Sequence, residues 1–205
     1  MSSNHIKPGV AAIALALLFP MYWTFVLVIG VNGSDFMDNM RADMLELSWL
    51  DGVFLLTGAL EIYIYFSLAR VFDDRLPSNS AKIFLYIIIG TVVLFHLTVF
   101  VDLYLAITQG SVSNEMIDVF VSATAYLLVA TLVVFVIAGI GLSITILSSS
   151  ESAAPILKAF AILLLVICIL QATVLFAMLN LILFPIALVM LAVYFLKDPE
   201  TLEIV

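Results

Sequence analysis

Two residues of this chain carry chemistry that their surroundings make costly, Glu61 and His96. Each lies inside a long apolar run, Glu61 within residues 52–72 and His96 within residues 81–107. If those runs cross a bilayer, a charge near their centre costs about 2.5–3.5 kcal/mol on the insertion scale, so it marks an ion or proton path or a buried partner. Glu61 lies nine residues from the start of its run and His96 eleven from the end of its own. At 1.5 Å per residue, two antiparallel helices bring them within about 3 Å of the same depth. A carboxylate and an imidazole placed that way can share a proton or a hydrogen bond. Thr57, Gly58, Glu61 and Tyr65 follow one helical face, which makes Thr57 and Tyr65 the supporting donors to that carboxyl.

Two readings of Glu61 stay open at this level. In one, it binds a proton or cation together with His96 and couples or gates transport. In the other, it stays protonated because burial disfavours the charged form, and it serves as interhelical glue. The other polar groups in apolar runs are Asp102, Asp118 and Gln171. Asp102 is five residues from an outer end, about 7 Å deep, and Asp118 reaches the same interface. Thr91, Thr98 and Asp102 form a stripe that leaves out His96, so this helix carries no continuous polar channel. Gly139 and Ser143 have small-xxx-small spacing, the pattern of a packing face, and Pro20 and Pro185 predict kinks.

The elements that must position these residues follow from composition. The 205 residues are 65% hydrophobic and 11% charged, with a mean hydropathy of +1.28. A soluble domain is nearer half apolar and a quarter charged. A spanning helix needs about 20 apolar residues. The chain supplies such runs at residues 10–31, 52–72, 81–107 and 116–147, and a fifth stretch too long for one crossing. Gln171, Thr173, Asn180 and Pro185 break that stretch into spans at residues 156–177 and 180–196, with a hairpin near Asn180. Six spans place Lys7, Arg70, Arg75, Lys82, Lys158 and Lys197 on one side and only Arg41 on the other. The positive-inside rule then puts both termini in the cytoplasm. The first run is longer than a signal-peptide core and is followed by no small-x-small cleavage site, so it is expected to stay as a helix. Residues 34–50 predict an outer amphipathic helix with Phe36, Met40, Met44 and Leu47 on one face and Ser34 or Asp35 as its cap. Its acids read as a solvated face in preference to a cation vestibule.

The expected fold is therefore an all-α polytopic transmembrane bundle, one domain over residues 1–205. Several functions are excluded. A net charge of −8 argues against nucleic acid. The lone Cys168 sits in an apolar run with no basic neighbour, which argues against thiol catalysis. One core histidine falls short of the usual haem pair, no lysine lies deep in a span, and hydrolase, P-loop and metalloprotease motifs are missing. No enzyme activity, cofactor or metal is expected. The expected surroundings are the lipid bilayer of a bacterial or archaeal plasma membrane, with a second copy or a membrane protein as partner.

The layout resembles a family of uncharacterised six-helix bacterial integral membrane proteins. The resemblance rests on the acidic segment from Asp43 to Asp51 leading into the second span and the basic turn after Leu68, Ala69 and Arg70. A long fourth span and a closing hairpin ending in Tyr194, Phe195, Leu196 and Lys197 complete it. It implies the six-span fold and transfers no activity and no site residues. Two functions fit: a proton- or cation-linked channel or carrier using Glu61 and His96, or a non-catalytic accessory, sensor or assembly subunit packed against a membrane partner.

Overall fold

A computed structural model describes residues 6–30, 36–75, 79–108, 110–149, 154–173 and 176–197. These residues are almost wholly helical: α1 (Ile6–Gly30), α2 (Phe36–Met44), α3 (Trp49–Arg75), α4 (Asn79–Leu97), α5 (Val99–Thr108), α6 (Asn114–Ser148), α7 (Pro155–Ala172) and α8 (Asn180–Leu196). Five segments are long and apolar enough to cross a membrane: Ile6–Leu27, Trp49–Phe72, Asn79–Thr108, Asn114–Ser148 and Pro155–Ala172. The apolar α8 is 17 residues long. The cap expected at Ser34 or Asp35 lies outside the described residues.

Six helices close a ring in chain order. α1 packs on α3, α3 on α4, α4 on α6, α6 on α7, α7 on α8, and α8 returns to α1. Helices α1 and α8 run antiparallel: Gly9 lies against Leu196, and the Phe19 and Phe184 rings meet at 4.7 Å. Their contact joins the first helix to the last. Small residues set the closest approaches. A Cβ at Gly139 would stand 2.5 Å from Cys168 Sγ, so the α6–α7 contact uses the missing side chain, as the Gly139/Ser143 spacing predicts. Ser143 is fully buried, and its hydroxyl donates to the Gly139 carbonyl at 2.8 Å, which spares the interface an unpaired group.

The third expected span is two helices. Thr98 Oγ1 donates to the Phe95 carbonyl at 2.7 Å, and the chain turns there before α5 begins. A threonine hydroxyl that competes for a helix carbonyl is a recognised cause of such a break. Pro20 and Pro185, by contrast, are accommodated within continuous α1 and α8. The short α2 crosses α5 and the start of α6. There Met44 packs with Leu105, Ile117 and Val121, flanked by Met40. This satellite core holds α2 down as the sequence expects for Met40 and Met44, while Phe36 and Leu47 stay exposed. Arg41 on α2 pairs with Asp118 at 3.0 Å and donates to Asn114 Oδ1 at 2.9 Å, both on α6.

The ring is packed unevenly along its axis. On the inward face of α1, Ala11, Ala12, Leu15 and Ala16 are buried, whereas Phe19, Tyr22 and Trp23 continue that face and are only half-buried. Along α1 the inward face thus changes from small, buried side chains to larger, half-buried ones toward the α2 end. α7 and α8 are also the shortest long helices, at 18 and 17 residues against 25 for α1 and 35 for α6.

Candidate functional site

Glu61 sits twelve residues from Trp49 and eleven from Phe72, at the middle of the apolar segment Trp49–Phe72. Spacings of three and four residues put Gly58, Glu61, Tyr65, Leu68 and Phe72 on one stripe of α3. Four of those five are buried, with Tyr65 at 2% exposure and Leu68 at 0%, while Glu61 between them is half-buried. Glu61 therefore keeps accessible surface in the middle of a stripe that is otherwise buried. The Tyr65 hydroxyl is within hydrogen-bonding reach of the Glu61 carboxyl and within electrostatic range of Cys168 on α7.

His96 is at the expected level but has other partners. Its Nδ1 donates to the Val92 carbonyl at 2.9 Å, one turn earlier on α4. A carbonyl only accepts, so Nδ1 carries the proton and Nε2 is the position left for another group. The ring rests directly on Gly58, where a side chain would overlap it, and stacks on Phe54 at 4.3 Å and 28°. His96 thus touches the Glu61 stripe one turn from the carboxyl, without a hydrogen bond between the two among the described residues. The Thr57 hydroxyl donates to the Phe54 carbonyl at 2.8 Å, so its proton is committed within α3. Gln171 lies at the end of α7, where its Oε1 accepts from Asn180 Nδ2 at 2.7 Å and ties the α7–α8 hairpin. Asn180 also donates to the Ile167 carbonyl at 3.2 Å, while its Oδ1 has no partner although the residue is 6% exposed.

Two features join this site that periodicity does not reveal. The first is a run of rings across four helices. From Phe184 on α8 it passes to Phe19, Trp23 and Tyr22 on α1, then to Phe54 on α3 and to His96 and Phe95 on α4, with neighbouring centroids 4.3–6.3 Å apart. Tyr22, Phe54 and His96 form a near-parallel stack within it. The second is acidic. Asp43 of α2, Asp51 of α3 and Asp102 of α5 come close enough to act electrostatically on Tyr22. Asp102 also feels both of the other two. Partial loss of hydration and the neighbouring Asp51 hold the Asp43 carboxyl above its usual range. Asp43, Asp51 and Asp102, from three elements, thus act electrostatically on Tyr22 at the α2 end of the aromatic run, and Asp43 itself stays exposed. Asp118 takes no part, being paired with Arg41. Among the described residues, no group of three or more His, Cys, Asp or Glu side chains is arranged to hold a metal ion.

No protein-family model, curated protein or solved structure matches the chain.

Proposed function

We propose that the chain is a six-span plasma-membrane protein, built like the six-helix bacterial family its layout resembles, that carries protons or cations with Glu61 as the exchanging group. The observation that carries this is the accessible surface kept by Glu61 at mid-depth on the inward stripe of α3. A glue carboxyl would be enclosed by partners on other helices, whereas this one keeps accessible surface and has Tyr65, one turn on along its own helix, as its hydrogen-bond partner.

A sixth crossing fits the dimensions. α8 covers about 25 Å and the preceding turn Ala177–Leu179 adds about 6 Å, close to a hydrocarbon core of about 30 Å. With six crossings both termini are cytoplasmic and Arg41 is the one basic residue outside, held in its ion pair with Asp118. The role is non-enzymatic: Glu61 takes up and releases a proton or pairs with a cation, Tyr65 supplies a hydrogen bond to the carboxylate, and His96 shapes the wall on the outer side.

The test is pH-dependent flux in proteoliposomes. Glu61→Gln, which keeps shape and removes the exchanging proton, is expected to abolish it. Flux equal to wild type in the folded variant would sink the reading, and co-purification of a membrane partner would then favour an accessory subunit.

A further inference from the structure

Where α2 lies on α5 and the start of α6, it leaves a cleft of about 240 Å³. Met37, Asp38 and Arg41 of α2 line it on one side, and Asp118, Val121 and Ser122 of α6 on the other. Both signs of charge stand side by side in this lining. Asp38 and Arg41 are three residues apart and so share a face of α2. Arg41 pairs with Asp118 at 3.0 Å and donates to Asn114 Oδ1 at 2.9 Å. Even so, 34% of the Arg41 side chain and 59% of the Asp118 side chain stay accessible. The guanidinium keeps further N–H groups for a second oxygen, and a carboxylate accepts more than one donor.

Ser122 is also the first residue of an exposed stripe. Ser122, Tyr126, Val129, Val133 and Ile137 follow at spacings of three and four, which sets them on one face of α6. The last four are each more than half exposed, while the buried Thr124, Thr131 and Ala138 mark the opposite, inward face. From Ser122 to Ile137 the stripe runs about 22 Å, longer than the roughly 15 Å filled by the chains of one leaflet. A polar cleft of mixed charge thus stands at the head of an apolar track of acyl-chain length.

The lining also selects a headgroup. Two carboxylates and one guanidinium leave a net negative charge, which repels an anionic headgroup that has no cation of its own. Quaternary ammonium groups are held by ring faces, and none of the six lining side chains is aromatic. A primary ammonium donates charge-assisted hydrogen bonds to carboxylates, and the phosphate beside it accepts them from a guanidinium.

We infer that this cleft seats the headgroup of a phosphatidylethanolamine-type lipid, its ammonium on Asp38 and Asp118 and its phosphate on Arg41. The acyl chains then lie along Tyr126, Val129, Val133 and Ile137. Six crossings put this site in the outer leaflet. It uses neither Glu61 nor His96 and goes beyond the transport reading.

Native mass spectrometry of the purified full chain tests this. Phosphatidylethanolamine, phosphatidylcholine and phosphatidylglycerol of identical chains are offered in equal amounts. Phosphatidylethanolamine is expected to be retained about threefold to fivefold over each of the others, the worth of one exposed charge-assisted contact. Asp38→Asn keeps the shape of the cleft and the Arg41–Asp118 pair, and is expected to erase most of that preference. Asp38→Lys reverses the charge at the same exposed position and is expected to turn the preference toward phosphatidylglycerol. Equal retention of the three lipids, a wild-type preference for either of the other two, or a preference unchanged in both variants would each overturn the inference. So would a dimer that retains no lipid, since a second copy would then cover the stripe.

Discussion

Substituting Gly58 by alanine probes the contact on which the outer half of the site is built. An added Cβ would overlap Cγ and Cδ2 of the His96 ring and lie 2.8 Å from its Nδ1. Ordinary contact begins near 3.4 Å, so the ring must retreat by roughly 1 Å. It has little freedom to do so, because Nδ1 is bonded to the Val92 carbonyl at 2.9 Å and the ring stacks on Phe54 at 4.3 Å. Overpacking of this kind costs about 1–3 kcal/mol, against a gain of about 1 kcal/mol from replacing glycine inside a helix. The net expectation is a loss of about 0–2 kcal/mol, toward the upper end because the ring has nowhere to retreat. Cys168 makes the assay direct. It is the only cysteine of the chain and is fully buried, so a thiol-reactive fluorophore reports unfolding on heating. Gly58→Ala should unfold at lower temperature than wild type. Gly90→Ala, where nothing lies within 4 Å of the added carbon, should match or exceed wild type. In a His96→Ala background the Gly58→Ala penalty should vanish, giving a double-mutant coupling of the size of the clash. Equal behaviour of Gly58→Ala and Gly90→Ala would refute the placement of His96 on α3, and with it the stack of Tyr22, Phe54 and His96.

Two further outcomes bear on topology and on the acids. With Lys197→Cys, a membrane-impermeant maleimide should label the chain from the cytoplasmic side only, since Cys168 is buried; labelling from outside would leave five crossings. Asp43 has a raised carboxyl pKa in the folded chain, so the folded state binds its proton more readily than the unfolded state does, and stability falls as pH rises through that range. Asp43→Asn should therefore raise the unfolding temperature at neutral pH, by a small amount because the residue is exposed and screened, and the gain should shrink on acidification or in high salt. An unfolding temperature that drops at neutral pH would contradict the crowding of Asp43 and Asp51.

How much was legible beforehand differs by feature. The apolar runs, the hairpin at Asn180 and the packing role of Gly139 are local matters of hydropathy and spacing, and they appear in the structure near where the spacing places them. The depth of Glu61 follows from counting along one helix. Its partner does not, because depth leaves the rotation of α4 about its axis undetermined. The rotation observed turns His96 onto Gly58 and Phe54 and leaves Tyr65 as the neighbour of Glu61. A small residue four places after Phe54 was the one available signal for a ring seated there.

The sequence alone determines that this chain forms helices long and apolar enough to cross a membrane, and that one carboxyl lies midway along such a helix, because transfer energies and the 1.5 Å rise act residue by residue. Tertiary structure decided the rest. It closes the ring by setting α8 against α1, brings Asp43, Asp51 and Asp102 from three separate elements within electrostatic range of Tyr22, and sets rings from four helices against one another. These arrangements arise from close packing of small and aromatic side chains between helices, which in a bilayer replaces hydrophobic burial as the force that selects neighbours. Such contacts have no period along the chain, so they become visible only once the helices stand side by side.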